Sequence, residues 1–263
     1  MIATDRLIAT PTVELPASRA ASLRRWNIGL GLVHAVQAVA ILALATAFAL
    51  PVTATFMEGP PGTSPGAPTT LFDVSVAWGV ALFLLLSAAF HWLVVLPGVF
   101  GRYTSGLVAE HNYFRWAEYS LSSSVMIVLI AMLTGISDVA ALIGIFAANA
   151  AMIFFGAVQE RYERPGGSLV PFWLGCVVGI APWLAVGVYL WSPGSTAEPP
   201  AFVYAIFVSL FVFFNIFALN MWLQYRRVDR WKSYLFGERA YFMLSLVAKS
   251  ALAWQVFAGT LAG

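Results

Sequence analysis

The sequence predicts an all-α membrane protein: a seven-transmembrane-helix bundle with its N-terminus cytoplasmic and its C-terminus extracellular. Three observations carry this. Of 263 residues, 60 % are hydrophobic and only 10 % charged, with a mean hydropathy of +0.83, a composition typical of integral membrane proteins. Apolar runs near 26–50, 74–96, 106–136, 139–159, 169–191, 200–224 and 237–262 are each long enough to cross a bilayer as a helix. Thirteen of the 14 Lys and Arg residues lie before the first run or at the second, fourth and sixth connections. The positive-inside rule then places those segments, and the N-terminus, in the cytoplasm.

Taken in order, residues 1–25 hold Asp5, Arg6, Glu14, Arg19, Arg24 and Arg25 but no apolar run of signal-peptide length. They read as a cytoplasmic tail, with the first span directing insertion. In the outer connection 51–73, Val52–Phe56 and Thr69–Phe72 are β-prone and flank a Pro/Gly-rich stretch. A β-hairpin and a flexible polar loop both fit. Pro97-Gly98, Pro165-Gly166-Gly167, Pro193-Gly194 and Pro199-Pro200 break the later runs. Basic residues recur at Arg102 and Arg115, Arg161 and Arg164, and Arg226 to Arg239; the opposite face carries Glu58, Asp73, Asp138 and Glu198. A single domain over 1–263 is expected, with no signalling domain after Gly263. Cys176 is the only cysteine, so an intramolecular disulfide is excluded. No metal-ligand set or nucleophile–base pair emerges, so no metal and no enzymatic activity are expected, nor any nucleic-acid partner.

The fourteenth cation is Lys249, with apolar residues on both sides for at least two turns. A lysine at that depth costs roughly 2.5–3.5 kcal/mol even on lenient insertion scales, so it needs a partner or a chemical use. Some 12 residues separate it from either end of its run, too deep for its amine to snorkel to water. An amine in an apolar pocket can condense with an aldehyde to a Schiff base.

The other ionisable groups within the spans are His34, His91 and Glu118, all toward the cytoplasmic half. If the third and seventh helices start near 106 and 237, Glu118 and Lys249 lie at equal depth, roughly 18 Å in at 1.5 Å per residue. A carboxylate and a cation then meet across the bundle, with Glu118 as counterion. The alternative is a surface ion pair between Arg115 and Glu118 at i, i+3, if the third helix enters the membrane only near Trp116. Both readings stand at this point. Each histidine taken singly fits a hydrogen-bonded structural role; both on one side of the same lysine suggest a hydrated polar pocket. Ser245 lies one turn before Lys249, and Tyr119, Ser122 and Met126 share the Glu118 face. Asn149, Met152, Trp183 and Phe214 sit near the midplane of the fourth, fifth and sixth helices, as pocket or as ordinary core.

At Arg115-Trp-Ala-Glu-Tyr-Ser-Leu-Ser-Ser-Ser-Val-Met126 and Ser245-Leu-Val-Ala-Lys249-Ser, the sequence resembles the heliorhodopsins. The likeness extends over all seven spans, including Leu-Val-His34-Ala-Val-Gln and the inverted charge bias. The resemblance implies all-trans retinal on Lys249, with Glu118 as the sole carboxylate counterion. It implies a network of His34, His91, Ser87 and Ser245 that receives the proton transiently. It also implies a homodimer with the 51–73 hairpin at the contact, and a slow photocycle without net pumping that serves signalling. Pumping is disfavoured locally too, since the outer halves of the spans hold no carboxylate and Asp138 lies only at the rim. The function expected is therefore a light sensor in the cell membrane, read by a cytoplasmic protein at the basic face. A light-gated channel or transporter is the alternative.

Overall fold

The computed structural model describes residues 15–191, 196 and 198–262, so Asp5, Arg6, Glu14 and the Pro193-Gly194 break lie outside the described residues. The chain runs α1 (Ala17–Leu44), β1 (Ala49–Ala54), β2 (Thr69–Ser75), α2 (Val76–Leu93), α3 (Phe100–Val108), α4 (Tyr113–Leu133), α5 (Val139–Tyr162), α6 (Val170–Trp191), α7 (Ala201–Tyr225) and α8 (Tyr234–Val256). A 3-10 turn, Asp229–Lys232, precedes α8, and a π turn, Phe257–Leu261, continues it. Among the described residues, seven helices are long and apolar enough to cross a membrane: α1, α2 and α4 to α8. This makes the chain a multi-pass membrane protein.

Burial follows the rule for a protein whose solvent is lipid. Val80, Phe83 and Leu84 of α2, Ile127 and Ile130 of α4, Ile206 and Leu210 of α7, and Leu252 of α8 are wholly buried in one cluster. Large aliphatic side chains such as Val39, Ile143, Val177 and Leu184 point outward and stay exposed, as hydrocarbon permits.

Two runs differ from the sequence reading, and one of its two alternatives for the outer connection is decided. The first run does not continue as a helix to 50, because α1 stops at Leu44 and Ala49 opens a strand. β1 and β2 pair antiparallel from Ala49↔Ser75 to Ala54↔Thr69, with an irregularity between Val52 and Thr53. The hairpin is docked on the bundle: Thr53 N donates to Ser137 O at 2.8 Å, and Val52 is buried in the main core. The third run, expected as one helix over 106–136, is split. Glu110 takes a left-handed φ of 59°, and the Asn112 side chain caps α4 by accepting from Arg115 N at 3.1 Å.

The split changes the depth argument. Glu118 stands only five residues after Tyr113, about 8 Å along the helix, not 12 residues in. It is nevertheless interior, because α3 covers that end: Tyr103 and Leu107 pack with Leu23, Leu30, Val94 and Phe242.

α4 ends in a Schellman motif, with Ile136 N bonded to Ala131 O and Gly135 N to Met132 O, both at 3.0 Å. Its left-handed residue, Gly135, has φ 97°, a conformation glycine adopts without steric cost. Three residues on, Asp138 caps α5 by accepting from Ala140 N at 3.0 Å and Ala141 N at 3.1 Å. Asp138→Ala is expected to cost about 1 kcal/mol, measurable as a lowered thermal midpoint with the hairpin retained.

Candidate functional site

Lys249 lies in the middle of α8, buried, and its Nζ donates to Glu118 Oε1 at 2.7 Å and to Ser245 Oγ at 2.9 Å. Ser245 can do this because i−4 on a helix is the same face. Ser87 Oγ of α2 donates to the same Glu118 Oε1 at 2.7 Å. The carboxylate is thus held from two helices, which a buried ion pair requires if its desolvation is to be offset. The Tyr119 ring lies 5.1 Å from the ammonium, within cation–π range. Of the two readings open for Glu118, the geometry places it with Lys249. Arg115 points elsewhere.

Beyond the amine runs a cavity of about 830 Å³, counted out to its mouth. Its walls are mostly aromatic and sulfur-bearing: Trp116, Phe172, Phe217, Met221 and Tyr241 join Tyr119, Met126, Met152 and Phe214, with Ser122 and Ser245 near the lysine end. An amine in the wall of an apolar chamber fits a hydrophobic aldehyde such as retinal. Gly156 helps to shape it, since a Cβ there would stand 2.6 Å from the Trp116 ring. Gly156→Val is therefore expected to displace Trp116 into the chamber and reduce retinal uptake several-fold, read by titrating the purified protein with retinal.

Lys249, Ser245, Tyr119, Ser122, Met126, Met152 and Phe214 line this cavity; Asn149 and Trp183 do not. Asn149 lies behind the wall, donating to Ser123 Oγ at 2.8 Å and Ser124 Oγ at 3.0 Å. Trp183 backs Phe214 edge-on at 5.3 Å. Which helix carries each residue was readable from the sequence, but rotation about its axis was not. Tyr241, absent from the sequence reading, was within reach of it: 241, 245 and 249 continue one face at i−8, i−4 and i.

On the other side of Glu118 is a polar cavity of about 380 Å³, whose lining includes Asn27, Ser87, His91, Tyr103, Asn112 and Glu118. His91 Nδ1 and Asn27 Oδ1 are 2.8 Å apart, and Asn27 Nδ2 donates to Tyr103 OH at 3.4 Å. His34 stacks on His91 with ring centroids 5.8 Å apart. It is fully buried, and neither of its ring nitrogens has a hydrogen-bond partner among the described residues. Burial pushes the Tyr103 phenol well above the ordinary tyrosine range, so it stays protonated where it accepts from Asn27. Tyr103 was missed because α3 folds back over the bundle, and Asn27 because the sequence does not show which face of α1 turns inward.

A buried ionic cluster was also missed. Arg115 pairs with Glu160 of α5 and, at 3.1 Å, with Glu238 of α8. Its guanidinium lies 4.2 Å from the Trp116 ring and 3.9 Å from the Tyr241 ring. Glu160 further accepts from Asn112 N at 3.0 Å, Trp116 Nε1 at 2.6 Å and Tyr234 OH at 3.3 Å. Membership of the spans is therefore wider than the four ionisable groups expected.

Comparison with known proteins bears on this arrangement. No curated protein matches the chain. Among solved structures, a cyanorhodopsin from the cyanobacterium Tolypothrix sp. superposes with TM-score 0.62 at 14 % identity, covering 94 % of this chain and 96 % of that one. A light-driven proton pump from Leptosphaeria maculans gives 0.62 at 12 % identity, over 93 % and 97 %. The transmembrane domain and linker region of a rhodopsin phosphodiesterase from Salpingoeca rosetta gives 0.63 at 12 %, over 92 % and 80 %. At these identities the likeness is one of fold, that of the microbial rhodopsins. The family model for heliorhodopsin matches residues 23–261, nearly the whole chain, and the chain therefore belongs to the heliorhodopsin family.

Proposed function

We propose that this rhodopsin-type photoreceptor binds all-trans retinal covalently through Lys249, with Glu118 as counterion, and senses light without net ion pumping. The observation that carries the reading is the position of the Lys249 amine: in the wall of an apolar chamber, hydrogen-bonded to one buried carboxylate. Retinal, when bound as an imine, supplies visible absorption and a light-driven isomerisation.

The chain supplies the rest. Lys249 Nζ anchors the chromophore, and Ser245 Oγ orients that nitrogen from the preceding turn. Glu118 Oε1 balances its positive charge, while Ser87 Oγ holds the carboxylate in place. The aromatic and methionine walls exclude water from the chamber. Beyond Glu118, His91 and Asn27 form the polar side toward which a proton leaving Nζ is directed, with His34 stacked behind. This side faces the basic, cytoplasmic end in the reading given by the charge bias. A slow photocycle and a signalling role belong to the same proposal, as do a homodimer through the docked hairpin and a cytoplasmic partner at the basic face. No enzymatic step is assigned to the chain; phosphodiesterase is named of the Salpingoeca rosetta protein alone.

The test is to add retinal to the purified protein and record spectra in darkness and after illumination. A visible band that changes reversibly with light is expected; no band would overturn the reading. Stationary photocurrents in voltage-clamped membranes would favour the channel alternative.

A further inference from the structure

We propose that the basic end of the bundle carries a binding site for the phosphate headgroup of an anionic glycerophospholipid, formed by Arg161 and Arg164 at the end of α5 and His111 in the α3–α4 turn. These side chains surround a surface cavity of about 590 Å³, counted out to its mouth. Arg161 Nη1 donates to Tyr113 OH at 3.1 Å, and Arg164 Nη1 to Ala109 O at 3.4 Å. Each bond fixes the head of a long side chain beside the cavity while using one of the five N–H donors of a guanidinium. Ring contact at 4.5 Å holds His111 against Tyr113. The one acid in the lining, Glu160, is engaged from within by Arg115, Trp116, Asn112 and Tyr234. Its charge is answered inside the protein, and the cavity presents net positive character.

Two features favour a lipid over a soluble anion. Phe154, Val158 and Tyr162 are exposed at i, i+4 and i+8 of α5, so an apolar column descends from the site along the outer face of the span, where an acyl chain would lie. Tyr113 and Tyr162 are exposed at the same level, at helix ends, where amphipathic rings mark the headgroup layer. Basic pockets with apolar surface below them are how membrane proteins select acidic lipids. The inference stands apart from the photoreceptor reading, since it uses none of the residues around Lys249.

The experiment is native mass spectrometry of the full chain released from bilayers of equal phosphatidylglycerol and phosphatidylcholine. Retention of phosphatidylglycerol over phosphatidylcholine on the order of ten-fold is expected from two guanidinia at the headgroup layer. Arg161→Gln/Arg164→Gln should bring the ratio close to one, with helix content and monodispersity unchanged because both side chains are exposed. Arg164→Gln alone, which leaves the Arg161–Tyr113 bond intact, should lower it as well, so a folding defect in the double variant would not shield the proposal. Equal retention of the two lipids, or enrichment that survives Arg164→Gln and the double variant, would overturn it. Displacement of phosphatidylglycerol by millimolar inorganic phosphate would overturn it too, by showing a site for free anions.

Discussion

Lys249→Ala is expected to abolish the visible band entirely: retinal added to this variant should remain free, with no imine formed. Among the described residues, Lys249 carries the one amine that lines the apolar chamber, and no other lysine lies in α8. The substitution also strips Glu118 of its cation, leaving Ser87 as its remaining donor by the bonds described above. Removing one member of a buried ion pair costs roughly 3–5 kcal/mol, so the single variant should melt earlier. Lys249→Ala/Glu118→Gln removes both charges and should recover most of that loss while staying colourless. Absorption spectra together with thermal unfolding separate the two effects. Colour in the single variant, through a covalent imine, would place the attachment site elsewhere.

Glu118→Gln should have the second largest effect. The amide keeps the size of the side chain and can still accept from Ser87, but it carries no charge. A cation at Lys249 would then be buried without a counter-charge, again at a cost of roughly 3–5 kcal/mol, because Glu160 and Glu238 are occupied with Arg115. The expected result is loss of the visible form, or a large displacement of its band, at neutral pH. An unchanged spectrum would show that another group balances the charge. Ser245→Ala should act more weakly, since it removes one neutral hydrogen bond to Nζ, worth about 1 kcal/mol.

Most of the fold was legible because hydrocarbon solvent imposes long uninterrupted apolar runs, and each of the seven appears as a helix. What hydropathy could not show is where an apolar run changes backbone state. Residues 45–54 are as apolar as the helix before them, yet they turn and pair with 69–75. The stretch around Glu110 breaks the third run without proline, and its only local mark is Asn112, a good capping residue. The pairing of Lys249 with Glu118 was found from a depth estimate whose helix start was wrong. It survives because α3 lies across the opening of α4 and places Glu118 inside. Arg115, Glu160 and Glu238 sit at helix ends in three separate segments, where charged residues ordinarily meet water. Only the assembled bundle shows that they meet one another.

Trp116 and Tyr241 each belong to two neighbourhoods, the chamber beside Lys249 and the stack that flanks the Arg115 guanidinium. Pressure on either ring from the chamber side therefore loads a charged joint that fastens α4 to α5 and α8. A ligand that bent inside the chamber would press on that joint through a single layer of side chains.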